Sequence, residues 1–138
     1  MQFNEDQITI ARRLKQHGFP WQPQVGHYVY DANRICPKSS PFQEGVYFLL
    51  NFDCFMQHVG GVQRFRDNMV WLPTWYEARE ILYQLGVPDT EVAHHSAEAI
   101  LQGQELTSLY RLILDKFNGR ANKSVEPLVG KHTQVKED

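Results

Sequence analysis

The chain has 138 residues, of which 42% are hydrophobic and 22% charged, and its formal net charge is −2. That length buries a core as one domain without disulfide or metal staples. The near-neutral balance offers no general attraction for nucleic acid or an anionic membrane, so neither is expected as a partner.

The N-terminal MQFNEDQITIARR has no apolar block and does not read as a secretory signal. Asn4 can instead cap a helix running to about His17, with Ile8, Ala11 and Leu14 in helical repeat and Gly18 as its stop. Pro20 and Pro23 then impose an extended link. Two strands are expected next, His27–Tyr30 and Val46–Leu50, joined by the loop ANRICPKSSPFQE. The second of these is the longest apolar run and is far too short to span a bilayer. Residues 52–59 fit two patterns: a two-turn helix through Phe52, Phe55, Met56 and Val59, or an extension of the strand from Val46 that turns at Gly60-Gly61. Val62–Arg66 and Met69–Leu72 read as strands about an Asp67-Asn68 hairpin turn. The meander of three or four antiparallel strands is the preferred organisation, and a helix at 52–59 would interrupt it.

From Thr74 the signals are helical. Thr74 and Glu77 form a capping box, and Gly86 with Pro88 closes the helix. Trp75, Ala78, Ile81, Leu82 and Leu85 share its expected core face, with Trp75 anchoring it on the sheet. Asp89 can cap a second helix to about Gln102, stopped by Gly103. A third repeats Leu106, Leu109, Tyr110, Ile113, Leu114 and Phe117. Residues 1–119 thus read as a single α+β domain, a small antiparallel sheet with an N-terminal helix and three C-terminal helices packed on one face. Residues 120–138 are expected to be a mobile tail. The order HGFPWQP, VGHYVYD, WLPTWYEAREILYQLG and a helical last third resembles a group of short bacterial and phage proteins of unknown function. The resemblance spans roughly residues 10 to 118. It implies an α+β organisation and brings no activity, cofactor or catalytic residue.

Four sets of residues could carry chemistry. Tyr76, Arg79 and Tyr83 form a second stripe on the Thr74 helix, suited to local cation–π packing or to an exposed recognition surface. Arg66, in Arg64-Phe65-Arg66, belongs to an exposed strand face that could add to such a surface. Cys54 and His58 share a helix face if residues 52–59 are helical, and with Asp53 as helper they could form a nucleophilic pair. The competing account makes Cys54 a small buried hydrophobe among Phe52, Phe55 and Met56. Cys36 could join Cys54 and His58 as metal ligands, although neither cysteine belongs to a recognised metal or redox spacing, and free thiols in a reducing cytoplasm are the simpler reading. Glu91, His94 and His95 have one Glu-x-x-His spacing, but a di-iron site needs a second pair and two further glutamates. A solvated helix face is the simpler account. No phosphate loop is present, and no cofactor is expected. The expected function is therefore a non-enzymatic cytoplasmic interaction or regulatory module, with a protein partner or itself as a homodimer. A small hydrolase using Cys54 and His58 is the alternative.

Overall fold

The computed structural model describes residues 1–121, and side chains through Gly119. Helix α1, Glu5–Gln16, starts at a capping box in which Asn4 and Gln7 satisfy each other's backbone N–H groups. Strands β1 (Tyr28–Asp31), β2 (Val46–Phe48) and β3 (Met69–Leu72) form an antiparallel sheet in the order β2-β1-β3. Helices α2 (Phe52–Val59) and α3 (Val62–Asn68) lie between β2 and β3 in sequence, and α4 (Trp75–Gln84), α5 (Asp89–Leu101) and α6 (Glu105–Ala121) follow. The protein is α+β, as its patterning indicates. The expectation for the tail falls, from residue 122 on, outside the described residues, and α6 continues past Gly119 to Ala121.

Pairing of Val29 with both Tyr47 and Trp71 sets the register, so alternate side chains of all three strands share a face. Val46, Val70 and Leu72 pack with Ile10 and Leu14 of α1, Ile81 and Leu82 of α4, Val92 of α5, and Leu109 and Ile113 of α6. The N-terminal and C-terminal helices therefore share one face of the sheet. On the other face, Val29 and Met69 pack with Trp21, Leu49, Met56, Val59 and Phe65. Helices α2 and α3 thus cover a side that the sequence pattern left open.

That second cover corrects the expected hairpin. Val62–Asn68 is helical, and Asp67-Asn68 ends a helix instead of turning two strands. Gly60 takes the left-handed conformation that stops α2, and a Cβ there would lie 2.8 Å from Arg64 Cδ. Gly61, also at positive φ, opens α3. One-turn bonds from Gln63 to Asp67 and from Asn68 to the Arg64 carbonyl reinforce the short helix. Its single buried residue, Phe65, is enclosed between Trp21 and Phe55. Helix α2 likewise resolves the 52–59 ambiguity: Asn51 caps it, and Met56 and Val59 bury its inner face.

Two polar contacts join the layers. The indole N–H of Trp21 donates to His27 Nδ1 at 3.1 Å, so His27 carries its proton on Nε2, which faces the Glu77 carboxylate at 3.8 Å. The buried His27 ring also stacks on Trp71, with centroids 4.8 Å apart. Glu77 caps α4 through the Thr74 N–H, and the buried Tyr110 hydroxyl of α6 donates to the Pro73 carbonyl beside it. At the opposite end of the sheet, the Gln43 side-chain amide bonds both the N–H and the carbonyl of Phe3.

Burial depresses the His27 pKa below its ordinary 6.5, while Glu77 pulls it back up more weakly. The unfolded chain therefore takes up this proton first, and the contribution of His27 to stability is complete above about pH 6.5 and lost as the pH falls through the lowered folded value. The urea midpoint is expected to drop between about pH 7.5 and pH 5.5, and a His27→Gln variant should flatten that slope. Phe65→Ala should cost about 3–5 kcal/mol in the same titrations.

Candidate functional site

Helix α4 presents a different surface from the one its spacing suggests. Ala78, Ile81 and Leu82 are buried, but Trp75 is 41% exposed and does not anchor the helix on the sheet. At about 100° per residue, Trp75 stands about 70° from the centre of the buried arc, on its border, and its position in the first turn leaves it open to solvent. The Arg79 guanidinium lies over its ring at 4.6 Å from the centroid. Arg79 therefore stacks on Trp75 and not between the two tyrosines. Tyr76 and Tyr83 are 66% and 69% exposed, and the Tyr76 hydroxyl donates to Glu80 at 3.1 Å. That bond, with the charge of Glu80, raises the Tyr76 pKa and keeps the phenol protonated. Trp75, Arg79, Tyr83 and Tyr76 follow one another around a single arc of the helix, three large rings and one cation facing solvent.

Arg66 does not belong to this arc. It sits on α3, and its carbonyl accepts the Lys15 ammonium at 2.5 Å across a cleft beside α1. Glu91 is held by Lys116 at 2.8 Å, while His94 and His95 are exposed on α5. The buried residues of that helix are Val92 and Ser96, while Ala93, Ala97 and Ile100 are exposed. No cluster of three His, Cys, Asp or Glu side chains that could hold a metal occurs among the described residues.

Cys54 and His58 do meet. Both are exposed, one turn apart on α2, with Cys54 Sγ 3.5 Å from His58 Nδ1. They open on a crevice of about 340 Å³ walled by Cys36, Tyr47, Phe48 and Phe55. The same Nδ1 lies 2.7 Å from the carbonyl oxygen of Cys54, so it must carry a proton and donate there. In that tautomer the nitrogen beside the thiol cannot accept the thiol proton. Asp53 and His58 are five residues apart on one helix, about 140° around its axis, so Asp53 does not orient the ring. Cys36 is a different thiol. Burial, the Asp31 charge and the hydrogen bond to Asp31 push it up to about 12, with a contact to Tyr47 acting the other way. Asp31 itself accepts the N–H groups of Ile35 and Cys36 and holds that loop against β1.

No family model, curated protein or solved structure matches the chain.

Mass spectrometry of the native protein treated with iodoacetamide near neutral pH should show alkylation at Cys54 and not at Cys36, because only Cys54 is both accessible and free of burial. The alkylation rate of Cys54 in His58→Ala should stay within about threefold of wild type, whereas an activated dyad would lose more than tenfold.

Proposed function

We propose that the protein is a non-enzymatic interaction module of the cytoplasm, and that the outward arc of α4 is its contact surface. The observation that carries this reading is the continuous exposure of Trp75, Tyr76 and Tyr83 with Arg79 stacked on Trp75. Aromatic rings and arginine are the types enriched at binding hot spots, where large rigid surfaces are desolvated at small entropic cost. Pre-stacking Arg79 on Trp75 fixes the cation before any partner arrives, so less ordering is lost on association. The partner is a protein, a second copy of this chain being one form of it. Two neighbouring features agree with this. No helix among the described residues is long and apolar enough to cross a membrane, and the net charge of −2 does not favour nucleic acid.

A photo-crosslinking residue at position 83, introduced in the expressing cell, should trap a discrete protein adduct, and sedimentation from low micromolar to near-millimolar concentration identifies self-association. The double substitution Trp75→Ala, Tyr83→Ala should weaken the association by at least about 2 kcal/mol, roughly thirtyfold. Unchanged association in that variant, or a monomer that yields no adduct, overturns the proposal.

A further inference from the structure

At the outer edge of β3 the two layers of helices do not close on each other. A cleft of about 270 Å³ remains between Leu14 and Lys15 of α1, the turn Gly18–Trp21, Arg66 and Asp67 of α3, and Trp71 of β3. Its geometry follows from the sheet order: β3 is an edge strand, with α1 packed on one face and α3 on the other. The Lys15 side chain spans the gap to the Arg66 carbonyl.

The walls are flat and aromatic. Trp21 and Trp71 stack within 10° of parallel at 6.2 Å, Phe19 lies 6.4 Å from Trp71, and Pro20 and Pro73 complete the apolar lining. The polar side is cationic. Lys15 and Arg66 both line the cleft, and among the described residues neither makes an ion pair. Asp67 is the one carboxylate on the lining, and its Oδ1 is taken by Gln63 at 2.8 Å. Of the three ammonium protons of Lys15, the Arg66 carbonyl takes one. Burial lowers the Lys15 pKa, with the Asp67 charge opposing it and that of Arg66 adding to it, so an arriving anion would restore lost charge stabilisation. Trp71, which lines the cleft, keeps its buried indole N–H without a hydrogen-bond partner among the described residues.

We propose that this cleft binds a small planar aromatic carboxylate, its ring against Trp71, Phe19 and the flanking prolines, its carboxylate between Lys15 and Arg66. The volume lies just below the roughly 300 Å³ at which small-molecule pockets begin, which limits the ligand to one or two fused rings. Apolar walls with a few convergent polar groups at one end discriminate by charge position, so the acid should be preferred over its neutral amide. The site shares no residue with the α4 arc and stands or falls separately from it.

The probe is 1-naphthoate, with 1-naphthamide as its neutral isostere, followed in ¹H–¹⁵N spectra of the full chain. The Trp75 indole peak is assigned by Trp75→Phe. Naphthoate should shift the indole peaks of Trp21 and Trp71 saturably while leaving that of Trp75 in place, and naphthamide should bind at least about tenfold more weakly. Lys15→Met and Arg66→Gln should each weaken naphthoate about tenfold while the ligand-free spectrum away from the cleft is retained. Because Arg66 uses only its backbone to hold Lys15, Arg66→Gln remains decisive if Lys15→Met fails to fold. Equal binding of acid and amide, shifts centred on α4, unchanged affinity in Arg66→Gln, or no shift at millimolar naphthoate would each overturn the proposal.

Discussion

The neutral imidazole of His27 is the contact on which the rest of the molecule depends. Its ring is stacked on Trp71 of the edge strand, its Nδ1 accepts from Trp21, and its protonated Nε2 faces the carboxylate that caps α4. One side chain thus ties the N-terminal turn to β3 and to the start of the C-terminal helices. A cation there would lose the Trp21 bond, since Nδ1 could no longer accept, and would occupy a buried aromatic site. Glu77 alone does not offset that loss, because 3.8 Å is longer than a hydrogen bond and Oε1 is already committed to the Thr74 N–H. The tautomer of His27 and the beginning of α4 are therefore one arrangement.

Local chemistry was legible in the sequence and tertiary chemistry was not. Asn4 as a cap and the Thr74–Glu77 box announce helix starts because each signal is complete within a few residues, and the structure adds Gln7 as the second half of a box at Asn4. The repeat through Leu109, Tyr110, Ile113 and Phe117 announces α6, although Thr107, Ser108 and Leu112, which lie off that stripe, are buried as well. Residues 62–68 misled because seven residues with one buried position carry no period, and Gly60-Gly61 serves a hairpin as well as a helix stop. What decides between them is Phe65 entering the space between Phe55 and Trp21, the latter far away in sequence. On α4, Tyr76, Arg79 and Tyr83 were separable from the core by angle alone, but Trp75 sits at the border of the two arcs, where periodicity does not assign a side. Trp21, His27, Glu77 and Trp71 have no mutual spacing to detect, and neither do Lys15 and Arg66.

The three surfaces that carry chemistry differ in what the fold has already done to them. On α4 the cation is stacked and one phenol bonded, while the rings remain exposed. At Cys54 the exposure and distance suit a nucleophile, yet the helix backbone has claimed the imidazole nitrogen. At the edge of β3 two cations, Lys15 and Arg66, and one carboxylate, Asp67, are gathered beside stacked rings. These are respectively a surplus of exposed apolar area, a completed local bond and an excess of cationic over anionic side chains.

The clamp of Gln43 on Phe3 bears on how the sheet ends. A side-chain amide that donates to one main-chain carbonyl and accepts from the N–H of the same residue behaves as a strand one residue long. It lets the first residues of the chain lie alongside the β1–β2 hairpin without the length a fourth strand would require. The segment around Phe3 is thereby built into the margin of the sheet. Glutamate, identical in shape, cannot take the part, because one of the two bonds needs an N–H that a carboxylate lacks.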